Sequence, residues 1–391
     1  MVEFVPFPAY RPAMGAGVSI GELVSPPVDS ISDDMLAHLR SNGRNVVNLS
    51  LAADADGRYR GAGEKLRGMI ADGSLKQDPP SFYIYEQEFG SGDRRMRRRA
   101  VVGLLKLEER STGNILPHEG VSQRTWKDRE ANIADTGADV ECILCISEGG
   151  DGGLSERIRN SERLLYRYSD PEGTEHRFLA VSDPDICSAV TAHMKDRRVL
   201  IADGHHRYEA ALSHSRQDRS EGAGYVMCAM VPAESEGIAI GAFHRMVDAG
   251  DIGETSAIKK LSKRTKMTET DAEGFAASLG EHGAGIVFRS GRYFFSDPTE
   301  PEIGAVFADK DIINGVYKAD EGKSKITVTA DADAAIASAI AKEHDVSVIL
   351  NPPSLSEITD TAAKGRAMPR KSTYFFPKIW SGWVFYIFGK N

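Results

Sequence analysis

Hydrophobic and polar positions alternate between two periods along this chain, and the change of period marks its elements. The clearest switch lies at residues 197–212, RRVLIADGHHRYEAAL. Val199, Leu200 and Ile201 form a short apolar run suited to a strand covered on both faces, whereas Tyr208, Ala211 and Leu212 repeat at helical spacing. Strands are likewise predicted at 44–51, 81–89, 99–107, 140–146, 176–181, 224–231, 285–289, 292–296 and 346–350. Helices are predicted from near Ser32, over 63–70, from Ser122, over 154–167, from an Asp183 cap through Met194, over 256–262, 271–279, near 309–316, and to Lys364. The close of the chain, 368–388, reads as two strands turning around Ser381 and Gly382, a buried hairpin with an edge for self-association.

Composition limits the classes. A chain of 391 residues exceeds one ordinary core, and 41% hydrophobic with 27% charged residues describes a globular protein. No apolar run approaches the ~20 residues of a membrane helix, and residues 1–13 lack the basic-then-apolar order of a signal peptide, so a cytoplasmic place is expected. A net charge of -9 argues against nucleic acid as a partner. The run RRMRRR at 94–99 dissents, and its place after 90–93 fits a hairpin turn leading into an exposed strand with solvated arginines. Four cysteines make no disulfide framework; Cys142 and Cys145 sit in an apolar run and read as strand residues.

Candidate chemistry gathers in two places. Between the predicted strand and helix at 197–212 lie Asp203, Gly204, His205, His206 and Arg207, with Asp203 placed as the helix N-cap. The first amides of a helix lack partners within it and carry the positive end of its dipole, so they suit phosphate oxygens. Gly204 leaves room for a ligand, Arg207 adds a planar donor, Asp203 can hold a divalent cation, and His206 can move a proton or donate to phosphate. The second focus is 115–129, ILPHEGVSQRTWKDR, where Glu119 beside His118 suits a general base and a neighbouring cation would keep it ionised; an ordinary charged surface loop fits equally. Asp29, after the proline pair, serves capping or a site equally well. Lys371, Ser372, Thr373 and Lys378 give the closing segment a cationic head facing phosphate or solvent, and Arg245, after a short turn, could return a cation toward the site, although a surface ion pair is the cheaper reading.

Taken together, PP-x-D at 26–29, HE followed by KDR at 118–129, IADGHHRYE, and M-P-x-KST-x-F-x-PK near the end resemble the domain of unknown function 1015 family over nearly the whole length. The chain departs from that family at Val28, usually tyrosine, and Arg370, usually proline. More distantly, PHE paired with a later strand-DGHHR-helix is similar to the free-serine kinases of the ParB/sulfiredoxin-like superfamily. That resemblance implies an α+β fold with a ParB/sulfiredoxin-like nucleotide-binding core, flanking α/β lobes and a C-terminal β-hairpin. The expected division is 1–95, an N-terminal lobe; 96–232, the core; 233–341, an α+β lobe; and 342–391, a strand-helix-hairpin segment.

Residue by residue, the resemblance implies Glu119 as base on a substrate hydroxyl, and Asp203, as metal ligand, with His206 near the transferring phosphoryl group. Gly204, His205 and Arg207 would hold the nucleotide, and His118, Asp128, Arg129, Asp29, Lys371, Ser372 and Thr373 would line or support the site. The cofactors implied are Mg2+ with ATP or ADP, and the acceptor is free serine or a similar hydroxy amino acid. A ParB-like nucleotide-binding switch without phosphoryl transfer is the alternative. Sulfiredoxin chemistry needs a cysteine where His205 and His206 stand, which argues against it.

Overall fold

The computed structural model describes residues 1–15, 17–27, 30–51, 59, 61–92 and 94–388. Val28 and Asp29 lie outside the described residues. The chain forms two compact units: Met1–Pro117, Val121–Ala239 and Pro377–Asn391 make the first, and His118–Gly120 with Ile240–Phe376 the second. Both mix helices and sheet, an α+β architecture.

The first unit is built on a nine-stranded mixed sheet. In chain order its strands are β1 (Phe4–Val5), β2 (Phe82–Ser91), β3 (Arg94–Lys106), β4 (Ile115–Pro117), β5 (Ile143–Ser147), β6 (Arg163–Ser169), β7 (Glu175–Val181), β8 (Val199–Asp203) and β9 (Tyr225–Pro232). Their spatial order is β4-β8-β5-β9-β3-β2-β7-β6, with β1 beside β3. The pairs β8 with β4 and β9 with β5 are parallel; the others are antiparallel. The β5, β8 and β9 strands are buried almost throughout, which explains their unbroken apolar runs. Three helices matter for the site: α1 (Gln123–Thr136), α2 (Pro184–Met194) and α3 (His205–Gln217). Asp183 caps α2 by accepting from the amides of Asp185 and Ile186, and Pro184 sits in its first turn. The core against this sheet takes Phe82, Ile143, Ile201, Val190, Tyr208 and Leu212.

The second unit holds a six-stranded antiparallel sheet of β10 (His244–Asp248), β11 (Lys266–Thr270), β12 (Ala284–Phe288), β13 (Tyr293–Asp297), β14 (Lys325–Thr329) and β15 (Val346–Leu350), ordered β11-β13-β12-β15-β10-β14. Helices α4 (Glu254–Leu261) and α5 (Ala332–Ile340) pack with it. Alternate residues of a strand serve different cores: Ile286 and Phe288 join Val247 and Val316, while Val287 joins Phe275, Ala335 and Ala339. Both faces are therefore covered, the consequence of a side-chain period of two.

Four expectations are corrected. Residues 44–51 contain the short helix Val47–Ser50, not a strand: Asn45 accepts from the Val47 amide at 3.0 Å and donates to the Glu22 and Val24 carbonyls, which holds the chain in a turn. A brief apolar run fits either element by periodicity, and local hydrogen bonding decided here. The helix expected over 154–167 stops at Arg159, and β6 follows, its backbone claimed by β7. The closing hairpin does not form. Strand Tyr374–Phe376 pairs within the second unit with the strand ending at Gly241, and Tyr386–Ile387 pairs within the first with Ala138–Asp139. Its apolar residues find separate partners, so the turn at Ser381 instead bridges Ser25. Last, the 94–99 arginines are not all solvated, since Arg98 is buried.

Candidate functional site

Strand β8 ends on Asp203, and α3 begins at His205. The residue between them, Gly204, has φ 96, a left-handed backbone that glycine adopts without strain. A Cβ there would stand 2.8 Å from Cγ2 of Ile143, so packing also requires the missing side chain. Gly204 is thus the N-cap, and Asp203 is not. Its Oδ1 accepts from Lys378 Nζ at 3.2 Å and its Oδ2 from Arg207 Nη2 at 3.3 Å. Burial would push this carboxyl up; the Lys378 ammonium and then Arg207 outweigh that and hold it well below the usual carboxylate range.

Lys378 is fixed by its own backbone. Its carbonyl accepts from Gln87 Nε2 at 2.9 Å, and the preceding carbonyl, of Pro377, accepts from Arg98. Burial lowers the Arg98 guanidinium to about 10, and the negative charge of Asp203 works against that shift. One of the supposed surface arginines therefore anchors the segment that brings a cation to Asp203. The Arg207 guanidinium also donates to the Cys142 carbonyl. The Ser122 amide, at the N-cap of α1, donates to His206 Nε2 at 2.9 Å. An accepting Nε2 puts the proton of the neutral ring on Nδ1. His205 is buried.

Asp128 and Arg129 make a separate cluster in the same unit. Arg129 donates to Asp128 at 2.6 Å, to the Ser50 carbonyl at 2.9 Å and to the Tyr59 hydroxyl, and lies 3.7 Å from Glu141. Nearby, Asp139 accepts from the Met227 amide at 2.7 Å; burial raises its carboxyl to about 7, against the opposing pull of that amide and of Arg207.

In the second unit, His118, Glu119 and the Lys371–Ser372–Thr373 turn come together although more than 250 residues separate them in the chain. His118 is fully buried, its Nε2 2.9 Å from Thr373 Oγ1. Glu119 bridges Met368, and its Oε1 accepts from the Lys371 amide at 3.1 Å. Lys371 holds φ 59, uncommon for a side chain of its length. Its carbonyl accepts from Arg245 at 2.9 Å, and its ammonium lies 4.7 Å from the centre of the Phe243 ring. Arg245, expected at the surface, is buried and pairs with Asp309 at 3.1 Å; a guanidinium needed to hold two carbonyls has little room to be solvated. Ser372 is buried and donates to the Pro369 carbonyl at 2.6 Å.

The sequence missed Lys378 as the partner of Asp203, although it closes the terminal PK motif; it missed Tyr59 and Glu141, which no motif marks, and read Arg98 as one of a solvated run. Cys142, Cys145, Cys187 and Cys228 are free and buried, and burial pushes the Cys142 thiol up, so these are packing residues. Among the described residues, no three His, Cys, Asp or Glu side chains converge as a metal cage. Asp203 is an ionised carboxylate that could give Mg2+ one oxygen, by exchanging one of its ion pairs. No helix among the described residues is long and apolar enough to cross a membrane.

The fold is thus that of a mixed α+β protein with a charged strand-glycine-helix junction. Over residues 4–347 the chain matches the family described as "Protein of unknown function (DUF1015)", and it belongs to that family. No curated protein matches it. Among solved structures, a conserved hypothetical protein from Pyrococcus furiosus is similar with 15% identity and a TM-score of 0.40, over 72% of this chain and 92% of that one. A free serine kinase in complex with AMP is similar with 15% identity and a TM-score of 0.41, over 71% and 86%. SbnI with a C-terminal truncation, from Staphylococcus aureus, has 14% identity and a TM-score of 0.41, over 71% and 84%.

Proposed function

We propose that this protein is a nucleotide-dependent phosphotransferase acting on the hydroxyl of a small molecule, free serine or a similar hydroxy amino acid, on a ParB/sulfiredoxin-like core. The observation that carries the reading is the junction at 203–207. An ionised carboxylate, a glycine with left-handed backbone and the start of a 13-residue helix follow one another, with Lys378 and Arg207 held against the carboxylate. Phosphoryl transfer asks of a protein mainly positioning, charge neutralisation and one base. The amides after Gly204 and the two cations answer to the phosphates of ATP or ADP. Mg2+, when bound, would neutralise charge on the transferring group, and Asp203 would hold it.

In this reading the acceptor oxygen attacks the terminal phosphorus, the bond from that phosphorus to the departing nucleotide oxygen breaks, and the hydroxyl proton passes to Glu119. The Lys371 amide orients the Glu119 carboxylate, and His118 braces the same turn through Thr373. His206 would stand near the transferring phosphoryl group.

The test incubates the protein with ATP or ADP, magnesium and a panel of hydroxy amino acids, with mass spectrometry for phosphorylated product. Product is expected with one acceptor, lost in Glu119→Gln with nucleotide affinity retained, and nucleotide affinity is expected to fall in Arg207→Ala. Nucleotide hydrolysis without any phosphorylated acceptor would favour the switch-like alternative, and full turnover in Glu119→Gln would remove that residue from the mechanism.

A further inference from the structure

Arg245 lies on β10 between β14 and β15, opposite Val328 and Val348, and is 2% exposed. A guanidinium inside a covered sheet is costly unless its donors are answered, and an apolar side chain of like volume would generally serve stability as well. What the guanidinium adds there is geometry. Its Nε donates to Asp309 Oδ1 at 3.1 Å, and its Nη1 donates to the carbonyls of Phe243 at 2.7 Å and Lys371 at 2.9 Å. One planar fork thus ties together three stretches of the second unit.

The two ends of that fork are both unusual. Asp309 stands in a π-helical stretch, Ala308–Asn314, a register that is rare and frequent at functional sites. Lys371 holds a left-handed backbone, which a residue with a side chain adopts only at a cost. Two contacts offset the cost: the Lys371 carbonyl on Arg245, and the Lys371 ammonium over the ring of Phe243, whose own carbonyl Arg245 also holds. In that conformation the Lys371 amide donates to Glu119 Oε1 at 3.1 Å, and Thr373 of the same turn meets His118.

We propose that Arg245 and Asp309 are positioning residues for Glu119: they hold Lys371 left-handed, and its amide aims the carboxylate. Neither touches the reacting atoms. What the aimed carboxylate does rests on the phosphotransferase reading; whether the pair aims it does not.

The test carries isotopically labelled lysine in the full chain and follows the Lys371 amide by NMR, identified as the resonance lost in Lys371→Arg. In wild type this amide is expected to shift with pH as Glu119 ionises, a response absent from Glu119→Gln. Arg245→Met, apolar and of similar length, is expected to remove the response and Asp309→Asn to reduce it. Arg264→Met, which breaks the 3.1 Å pair with Asp311 in the same π-helical stretch, is expected to leave it as in wild type. With ATP or ADP, magnesium and hydroxy amino acids, Arg245→Met is expected to lower turnover by about 10- to 100-fold and to retain nucleotide affinity, because the nucleotide residues belong to the first unit. A wild-type response in both Arg245→Met and Asp309→Asn overturns the inference, as does a wild-type amide indifferent to Glu119→Gln. Asp309→Asn, at a partly exposed position and still able to accept from Nε, decides the matter where Arg245→Met does not fold. Failure of the wild type to phosphorylate any acceptor overturns the phosphotransferase reading instead, and the amide response still decides whether this pair aims Glu119.

Discussion

Replacing Lys378 by methionine removes one charge from the Asp203 junction while retaining an apolar stem of similar length. At the observed 3.2 Å, two unit charges attract by about 5 kcal/mol at an effective dielectric constant of about 20. The net loss is smaller. Asp203 retains Arg207 at 3.3 Å, and its side chain is 27% exposed, so about 1–3 kcal/mol is expected against the roughly 3–5 kcal/mol of a fully buried pair broken on one side. For a unit of this size that corresponds to a melting temperature lower by roughly 3–10 °C.

The pH dependence distinguishes a charge effect from a packing one. A carboxyl depressed in the folded state stabilises above its unfolded value and loses that contribution as pH falls through the folded value. Without Lys378, burial acts on Asp203 with less opposition, so its carboxyl rises. The gap between wild type and Lys378→Met is therefore widest near neutrality and narrows as pH falls below the ordinary carboxylate range. Calorimetric melts from pH 8 to pH 3 read this directly. Equal melting temperatures at pH 7, or a gap that stays constant into acid, would refute the electrostatic account of this junction.

Gly204→Ala is expected to lower stability by about 1–3 kcal/mol, because it combines φ 96 with a Cβ 2.8 Å from Ile143; an unchanged urea midpoint would contradict the packing. Asp139, raised to about 7, keeps its proton in the folded state where the unfolded chain has lost it. Its contribution therefore falls as pH rises from about 4 to about 7 and levels off above that. Asp139→Asn, which can still accept from the Met227 amide, should flatten that decline in urea midpoints.

Much of the frame was legible because it rests on local rules. The VLIAD strand, the helix after Gly204 and the Asp183 cap follow from burial of short apolar runs and from capping chemistry, and all are present. The strand read in VVNL and the helix carried past Arg159 failed where a brief segment satisfied both periods and a partner chose between them. Arg98 was readable in part: it shares the two-residue alternation of Ala100 and Val102, both buried. Five arginines within the six residues 94–99 mask that alternation, since charge predicts solvent wherever no partner is known.

The sequence by itself determined that Asp203, a glycine and a helix start would stand together, because neighbours in the chain remain neighbours in space. It also placed Cys142 and Cys145 in an apolar run, and both are buried. Only the tertiary structure decided that Lys378 would neutralise Asp203, that Arg98 would hold Lys378 in place, and that Thr373 and Lys371 would meet His118 and Glu119. Those pairings span between 175 and 279 residues, and no periodicity or spacing rule reaches across such a loop. Burial supplies the reason they form: a charge or imidazole removed from water must find its partner wherever the packed chain delivers one.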